Sequence, residues 1–268
     1  MTVRVERSGS VWTVIHSRPG ARNAMDPESA RELHRLFVEF DADDSATVAV
    51  FWGEGGAFCA GWDLKQAAQR DPEGNDGRMT ELDFSPDDDG HIIGPMGPSR
   101  LDLSKPVIAA IEGPAVAGGM ELAIWCDMRV MGESAFMGVY CRRWGVPLID
   151  GGTVRLPRLV GEGRAMDLIL TGRQVKADEC ERIGLCERVV PDGMAREAAE
   201  ELAQQISRFP QGCMNADRRS ARSQHGMPMR AALHNEWSIS AGMVAEEGIA
   251  GAARFASGKG RGGDFGDI

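Results

Sequence analysis

The sequence predicts an α/β or mixed fold, organised as one large domain or as a large domain with a smaller appendage. Two nearly continuous apolar runs of strand length, residues 47–52 and 106–111, are typical of strands covered on both faces of a sheet. Each run is followed by a glycine-containing turn that leads into a helical pattern. The length of 268 residues agrees with this domain count.

The elements before the first of these runs have clear local signals. Residues 2–16 alternate apolar and polar side chains around a Ser-Gly-Ser turn, which predicts a β-hairpin. Asp26 is a predicted helix N-cap, and Pro27 suits the first helical position. The apolar residues of that helix share one face: Leu33, Leu36 and Phe37.

The least regular stretch of the chain lies between the two apolar runs. Residues 71–100 hold eight acidic residues against two arginines, with Gly and Pro at many positions. This composition predicts a long loop or a partly ordered lid. We interpret the acidic run at 87–89 as a solvated turn rather than a metal site.

Helical patterns dominate the second half of the chain. Gly184 suits the C-cap of one of these helices. The predicted helices span residues 161–170, 177–184, 193–208 and 242–256.

Composition and charge exclude several classes of function. The net charge of −10 is opposite to that of a non-specific nucleic-acid binder, and it disfavours an anionic membrane surface. No apolar run is long enough for a transmembrane helix, and the N-terminus has no signal-peptide core. The six cysteines form no C-x-x-C pair and the five histidines no H-x-x-x-H pair, so we expect no metal site. We expect a cytoplasmic protein with reduced thiols.

Two glycine-containing turns carry the pattern of a catalytic site. Residues 58–65 follow the first apolar run, and residues 113–121 follow the second and open an apolar helix. Glycine permits close backbone approach, and a helix N-terminus adds free N–H groups, so two converging turns would form an oxyanion hole. Glu121 follows Gly118 by three residues, one turn along the same helix face. By itself, Glu121 could equally be a favourable charge in a first helical turn.

A longer series of motifs occurs in an order that resembles one known family. The motifs are at 22–25 (RNAM), 58–65 (FCAGWDLK), 106–113 (PVIAAIEG), 117–123 (AGGMELA), 126–127 (CD), 151–156 (GGTVRL), 170–173 (LTGR) and 177–184. The chain resembles the enoyl-CoA hydratase/isomerase (crotonase) superfamily over nearly its whole length.

The resemblance implies a fold, an assembly and an activity. The fold would be the crotonase spiral of repeated ββα units over residues 1–195, with a C-terminal helical region at 196–268 that mediates a homotrimer or a dimer of trimers. The activity would be that of an acyl-CoA-processing enzyme, which stabilises a thioester enolate during hydration or a related lyase or isomerase step. Coenzyme A would be part of the acyl-CoA substrate, and no cofactor would be bound permanently.

The resemblance also implies roles for individual residues. The backbone N–H groups of Trp62 and Gly118 would form the oxyanion hole, and Glu121 falls on the first catalytic glutamate of the hydratases. Coenzyme A and substrate would contact the following residues: Arg22, Ala24, Ala60, Asp63, Leu64, Lys65, Val116, Cys141 and Trp144. Phe255 and Lys259 would close over the nucleotide from a neighbouring subunit. Lys65 could instead be a solvated lysine.

The chain departs from the family pattern at the second catalytic glutamate, where it has Cys141. A thiol is a poor acid or base at neutral pH, so we interpret Cys141 as an apolar wall residue, with a reactive nucleophile as the alternative. Asp150 is the candidate replacement for the missing carboxylate, and its alternative role is to cap the helix that opens near Gly152.

The departure at Cys141 leaves two other functions open. One is a different crotonase reaction, such as thioester hydrolysis, decarboxylation or C–C bond chemistry. The other is a non-catalytic acyl-CoA-binding protein.

Overall fold

The computed structural model describes residues 2–68, 83–84 and 90–260. Most of the acidic segment, including the turn predicted at 87–89, lies outside these residues. The chain divides into two compact units, Met1–Ala203 and Gln204–Ile268. The family resemblance implies a boundary after residue 195, which is eight residues earlier.

Two sheets form the framework of the first unit. The strands are β1 (Val3–Ser8), β2 (Val11–His16), β3 (Val48–Gly53), β4 (Val107–Ile111), β5 (Pro114–Val116), β6 (Met128–Gly132), β7 (Phe136–Gly138), β8 (Gln174–Lys176) and β9 (Arg188–Val190). The larger sheet has the order β1-β2-β3-β4-β6-β9, and the smaller has the order β5-β7-β8. In the larger sheet β1 and β2 pair antiparallel, which confirms the predicted hairpin, and the following pairs are parallel.

The middle of the larger sheet is the core of the first unit. Every residue of β2 and β4 is buried. The composition of β4 is wholly apolar, as a doubly covered strand requires, whereas β2 also buries Thr13 and His16. Helices surround the sheets: α1 (Pro27–Ala42), α2 (Leu64–Ala67), α3 (Gly118–Trp125), α4 (Gly152–Val160), α5 (Glu162–Thr171), α6 (Ala177–Ile183) and α7 (Ala195–Ile206). All eight residues of α3 are buried, which suits a helix that is apolar on every face but for Glu121.

Helix α1 begins where the sequence predicts. The Asp26 carboxylate accepts a hydrogen bond from the Ser29 backbone N–H at 2.7 Å, and Pro27 occupies the first turn. The predicted apolar face is buried, and the Phe37 ring packs edge-on against Phe51 of β3 and Trp125 of α3. These contacts pack α1 against both β3 and α3.

The second unit contains α8 (Gln211–Ser223), α9 (Met229–Met243) and α10 (Ile249–Ala256). Residues 242–256 are helical throughout, as predicted, but the helix begins earlier, at Met229, and contains a π-helical turn at Val244–Gly248 between α9 and α10. Gly242 precedes that turn and Gly248 ends it, and glycine weakens the regular α-helical ladder. The Glu247 carboxylate in the π turn accepts hydrogen bonds from the first backbone N–H groups of α8.

Three further properties bear on the excluded functions. No helix among the described residues is both long and apolar enough to cross a membrane. Within the same residues, no group of three or more histidine, cysteine, aspartate or glutamate side chains could hold a metal ion. All six cysteines are free thiols, and only Cys213 is exposed.

Candidate active site

A cavity of about 460 Å³ lies in the first unit, between α1, α3 and the segment at residues 140–150. Residues that are far apart in the chain, but that the sequence motifs assign to one site, meet at this cavity. Nine of the predicted site residues line it: Ala60, Trp62, Leu64, Val116, Gly118, Glu121, Cys141, Trp144 and Asp150.

The first glycine turn holds Trp62 at one wall of the cavity. Trp62 forms a parallel bridge with Met25, in which the Met25 N–H donates to the Gly61 carbonyl at 2.7 Å and the Asp63 N–H donates to the Met25 carbonyl at 2.9 Å. In such a bridge the N–H of Trp62 itself points to the opposite side. Gly61 has a φ of +91°, and a Cβ there would lie 3.2 Å from the Gly118 nitrogen. The two glycine turns are therefore in direct contact.

The second glycine turn supplies the N-terminus of α3. Gly118 is the first helical residue, so its N–H has no acceptor within the helix. It donates to none of the described residues, whereas the Met120 and Glu121 N–H groups both donate to the Ala117 carbonyl. Ala117 has a φ of +55° and a ψ of −126°, a conformation that costs a non-glycine residue about 1–3 kcal/mol. This strained turn orients the Gly118 N–H beside the first turn, as an oxyanion hole requires.

Glu121 stands one turn further along α3 and is almost fully buried, with 3% of its surface exposed. Its Oε1 accepts hydrogen bonds from the Gly152 N–H at 2.8 Å and from the Asp150 N–H at 2.9 Å. Its Oε2 accepts none from the part of the chain that the structure describes. Burial, and then the negative charge of Asp150, raise the pKa of Glu121 to about 7.

Asp150 is the second buried carboxylate of the cavity. Its Oδ1 accepts hydrogen bonds from the Met96 N–H at 3.0 Å and from the Ser99 hydroxyl. Burial raises its pKa, although the Ser99 hydroxyl opposes the shift. The N-cap of α4 is Gly151, with no side-chain capping bond, so the interpretation of Asp150 as a helix cap is wrong.

Cys141 lines the cavity from a short 3₁₀ segment, Tyr140–Trp144, and is 5% exposed. Burial and the nearby charge of Glu121 raise the pKa of its thiol. A protonated thiol is neither a general base nor a nucleophile at neutral pH. This environment favours the interpretation of Cys141 as an apolar wall residue.

The segment expected to bind coenzyme A is a tight turn next to the cavity. Arg22 is left-handed, with a φ of 51°, and its carbonyl accepts a hydrogen bond from the Ala60 N–H at 3.0 Å. The Asp63 carboxylate forms an ion pair with Arg18 at 3.1 Å and accepts the first N–H groups of α2, so it positions the turn. Four of the predicted residues do not line the cavity: Arg22, Ala24, Asp63 and Lys65. Phe255 and Lys259 belong to the second unit.

Several residues hold the site together in roles that the sequence does not signal. Met96 and Ser99, which hold Asp150, lie in the irregular segment before β4. Arg155 donates to the backbone carbonyls of Asp150 and Ser99, both at 2.9 Å, and so ties α4 to that segment. Arginine on a predicted helix and serine in a loop are ordinary surface residues, so only the three-dimensional structure reveals these roles.

Comparison with known proteins agrees with this geometry. The family model for enoyl-CoA hydratase/isomerase matches residues 6–254. An enoyl-CoA hydratase of Mycobacterium tuberculosis is 39% identical over 242 residues, which cover 88% of this chain and 85% of that protein. A carnitinyl-CoA dehydratase of Proteus mirabilis is 38% identical over 201 residues, covering 74% of this chain and 72% of the relative.

The fold has a close counterpart among solved structures. The crystal structure of an enoyl-CoA hydratase from Bacillus anthracis superposes with a TM-score of 0.85 and 29% identity, and the match covers 96% of each chain. The crotonase fold predicted from the sequence motifs is thereby confirmed. The chain belongs to the enoyl-CoA hydratase/isomerase family and is an enzyme that processes acyl-CoA thioesters.

Proposed function

We propose that this enzyme interconverts a 2-enoyl-CoA and a 3-hydroxyacyl-CoA, and that Glu121 and Asp150 perform the acid–base chemistry. One observation carries the proposal: two buried carboxylates line one cavity, each with one oxygen anchored by hydrogen bonds and the other without a partner among the described residues. The open oxygens, Glu121 Oε2 and Asp150 Oδ2, are free to hold a water molecule and a substrate proton.

The reaction requires one proton to be shared by the pair. In hydration, one ionised carboxylate takes a proton from water as the water oxygen bonds to Cβ, and one protonated carboxyl gives a proton to Cα. The pair therefore has one proton before and after the reaction. The pKa of about 7 favours Glu121 as the proton donor, and the hydrogen bonds to Asp150 Oδ1 favour Asp150 as the base.

The backbone N–H groups of Trp62 and Gly118 would stabilise the enolate that forms between these steps. A negative charge on the thioester oxygen is offset by donors that are already in place, which typically contributes about 3–4 kcal/mol for one donor. The strained Ala117 turn supports this role, because it fixes the direction of the Gly118 N–H before substrate arrives.

The names of the relatives support the same reaction class. An enoyl-CoA hydratase adds water to an enoyl thioester, and a carnitinyl-CoA dehydratase removes water, so the two names describe opposite directions of one type of reaction. By microscopic reversibility, a pair of carboxylates that shares one proton can catalyse both the hydration and the dehydration.

Family membership and the helices of the second unit support proposals on cofactor use, location and assembly. We propose that coenzyme A enters as part of the substrate, with no permanently bound cofactor, and that the enzyme acts in the cytoplasm as a homotrimer or a dimer of trimers. Helix α9 supports an assembly, since Met229, Leu233 and Trp237 recur at helical spacing with 76%, 56% and 72% of their surface exposed.

The reaction class can be tested with crotonyl-CoA in D₂O. We expect the product to be 3-hydroxybutyryl-CoA with one deuterium at Cα, identified by NMR and mass spectrometry. Release of free coenzyme A would indicate thioester hydrolysis instead. Binding of crotonyl-CoA without any turnover would indicate a non-catalytic acyl-CoA-binding protein. Glu133, which is exposed, offers a matched control, because Glu133→Gln should retain the activity that Glu121→Gln loses.

A further inference from the structure

Helix α1 presents a cation to the cavity. Pro27, Ala30 and Arg31 lie on one face of the helix, at spacings of three and four residues, and all three line the cavity. Arg31 is the only lysine or arginine among the lining residues that the structure describes. The other charged lining residues are Glu121 and Asp150, which are carboxylates.

Arg31 is exposed on α1 and its guanidinium is not used by the protein, in contrast to three neighbouring arginines. Arg18 forms ion pairs with two carboxylates, and Arg155 donates to two backbone carbonyls. Arg35, one turn further along α1, forms ion pairs with two glutamates of the same helix. Within residues 2–68, 83–84 and 90–260, Arg31 has neither an ion pair nor a side-chain hydrogen bond.

Arg31 also stands apart from the reacting carboxylates. Arg155 and Arg100 are among the main charges that shift the pKa of Glu121 or Asp150, and Arg31 is not among them. Arg31 lines the cavity from α1, whereas Glu121 lines it from α3 and Asp150 from the segment before α4. The cation and the two carboxylates therefore belong to different walls, and a substrate group remote from the reacting carbons could reach the cation.

We propose that Arg31 binds a carboxylate carried by the acyl group, so that the preferred substrates are CoA monothioesters of unsaturated or 3-hydroxy dicarboxylic acids. The inference rests on the proposed function for the reaction that these substrates undergo, whereas the binding of their carboxylate by Arg31 does not depend on that function. A guanidinium is always charged, and its planar fork matches a carboxylate in a bidentate pair. An unused cation on a cavity wall raises the local concentration of anionic groups and disfavours cationic ones.

The same charge opposes an acyl group that carries a quaternary ammonium. The cavity also has aromatic lining residues, Trp62, Tyr140 and Trp144, whose ring faces attract cations. We favour the anionic ligand because Arg31 shares the cavity with these rings and would repel a cation. A preference for the quaternary ammonium substrate would assign the recognition to the rings and overturn the proposal.

The test compares three 2-enoyl-CoA substrates that differ in one terminal group. They are the monothioester of 2-pentenedioic acid, crotonyl-CoA and 4-trimethylammonio-2-butenoyl-CoA, which are anionic, neutral and cationic at that end. We expect the wild type to prefer the anionic substrate in kcat/KM. Arg31→Gln should reduce that preference about tenfold or more, mainly through KM, whereas Arg35→Gln on the same helix should leave it unchanged.

Binding keeps the test independent of catalysis. Calorimetry with two saturated thioesters, the monothioester of pentanedioic acid and butyryl-CoA, measures the same preference without turnover. If the wild type turns over no enoyl-CoA but binds the anionic thioester more tightly in an Arg31-dependent manner, the proposed function fails and this inference stands. If Arg31→Gln weakens both thioesters equally, Arg31 acts on coenzyme A or on folding, and the inference is wrong.

Discussion

The substitution Asp150→Asn is expected to move the alkaline limb of the pH–rate profile toward lower pH. The pKa of Glu121 is about 7 against an ordinary value of 4.5, so its ionisation inside the cavity costs about 3 kcal/mol more than in water. Burial contributes most of this cost, and the charge of Asp150 is the next cause. Asparagine keeps the size of the side chain and the backbone N–H bonded to Glu121, but it removes the charge.

The expected shift follows from the proton shared by the pair. Loss of that proton abolishes activity, so kcat/KM of the wild type for crotonyl-CoA hydration should fall above about pH 7. Removal of a neighbouring like charge typically lowers a carboxyl pKa by about one unit or more. The limb of Asp150→Asn should therefore lie near pH 6 or below, on a lower plateau because one carboxylate of the pair is lost.

Arg155 provides a control for which the alkaline limb should move in the opposite direction. Its positive charge lowers the pKa of Glu121, so Arg155→Gln should move the alkaline limb toward higher pH. The assay is the initial rate of hydration from pH 5 to 9, with kcat and KM resolved at each pH. A limb that stays in place in both variants, or that moves upward in Asp150→Asn, would refute the coupling of Glu121 to Asp150.

Three further predictions concern stability and assembly. His16 is fully buried and its pKa is lowered to about 4, so below about pH 6.5 the unfolded state binds more protons than the folded state. This difference should lower the free energy of unfolding by about 3 kcal/mol by pH 4. Denaturant titrations of His16→Leu should lack this contribution. Ala117→Gly should relieve the left-handed strain, raising the free energy of unfolding by about 1 kcal/mol while lowering kcat, because the turn that orients Gly118 becomes looser. Replacement of Leu233 and Trp237 by Glu should dissociate the assembly, measured as a lower mass by light scattering.

Each of these three predictions has a clear contrary result. The same pH dependence of unfolding in His16→Leu as in the wild type would place the titrating group elsewhere. A less stable Ala117→Gly variant would mean that the Ala117 methyl group packs more favourably than the strain is costly. An unchanged mass for the double variant of α9 would remove its exposed apolar face from the proposed subunit contact.

Local patterns were sufficient to predict the elements that support the site. The hairpin, α1 and the buried strands β3 and β4 follow from periodicity, capping and apolar runs, which act over a few residues. The two glycine turns could be found as motifs, because each occupies a short continuous stretch. The π turn could not be predicted, since no local rule places a π turn inside an otherwise continuous helical pattern.

The role of Asp150 could not be predicted for a different reason, which is the sequence distance of the residues that hold it. Its partners Met96 and Ser99 are 54 and 51 residues distant in the chain and lie in a segment without periodicity. Sequence reasoning therefore left a helix cap and a functional carboxylate as alternatives. Arg31 was missed because a lone arginine on an amphipathic helix resembles a solvated residue until the cavity beside it is known.

The central claim is that a proton on the buried Glu121 carboxyl is essential for turnover. The most direct measurement is the rate of crotonyl-CoA hydration by Glu121→Gln, with the Kd for butyryl-CoA measured on the same preparation. Glutamine is nearly isosteric with glutamate but cannot exchange the proton, so the account predicts a loss of about 10²–10⁴ in kcat with the Kd almost unchanged. A variant that hydrates crotonyl-CoA at the wild-type rate would contradict it.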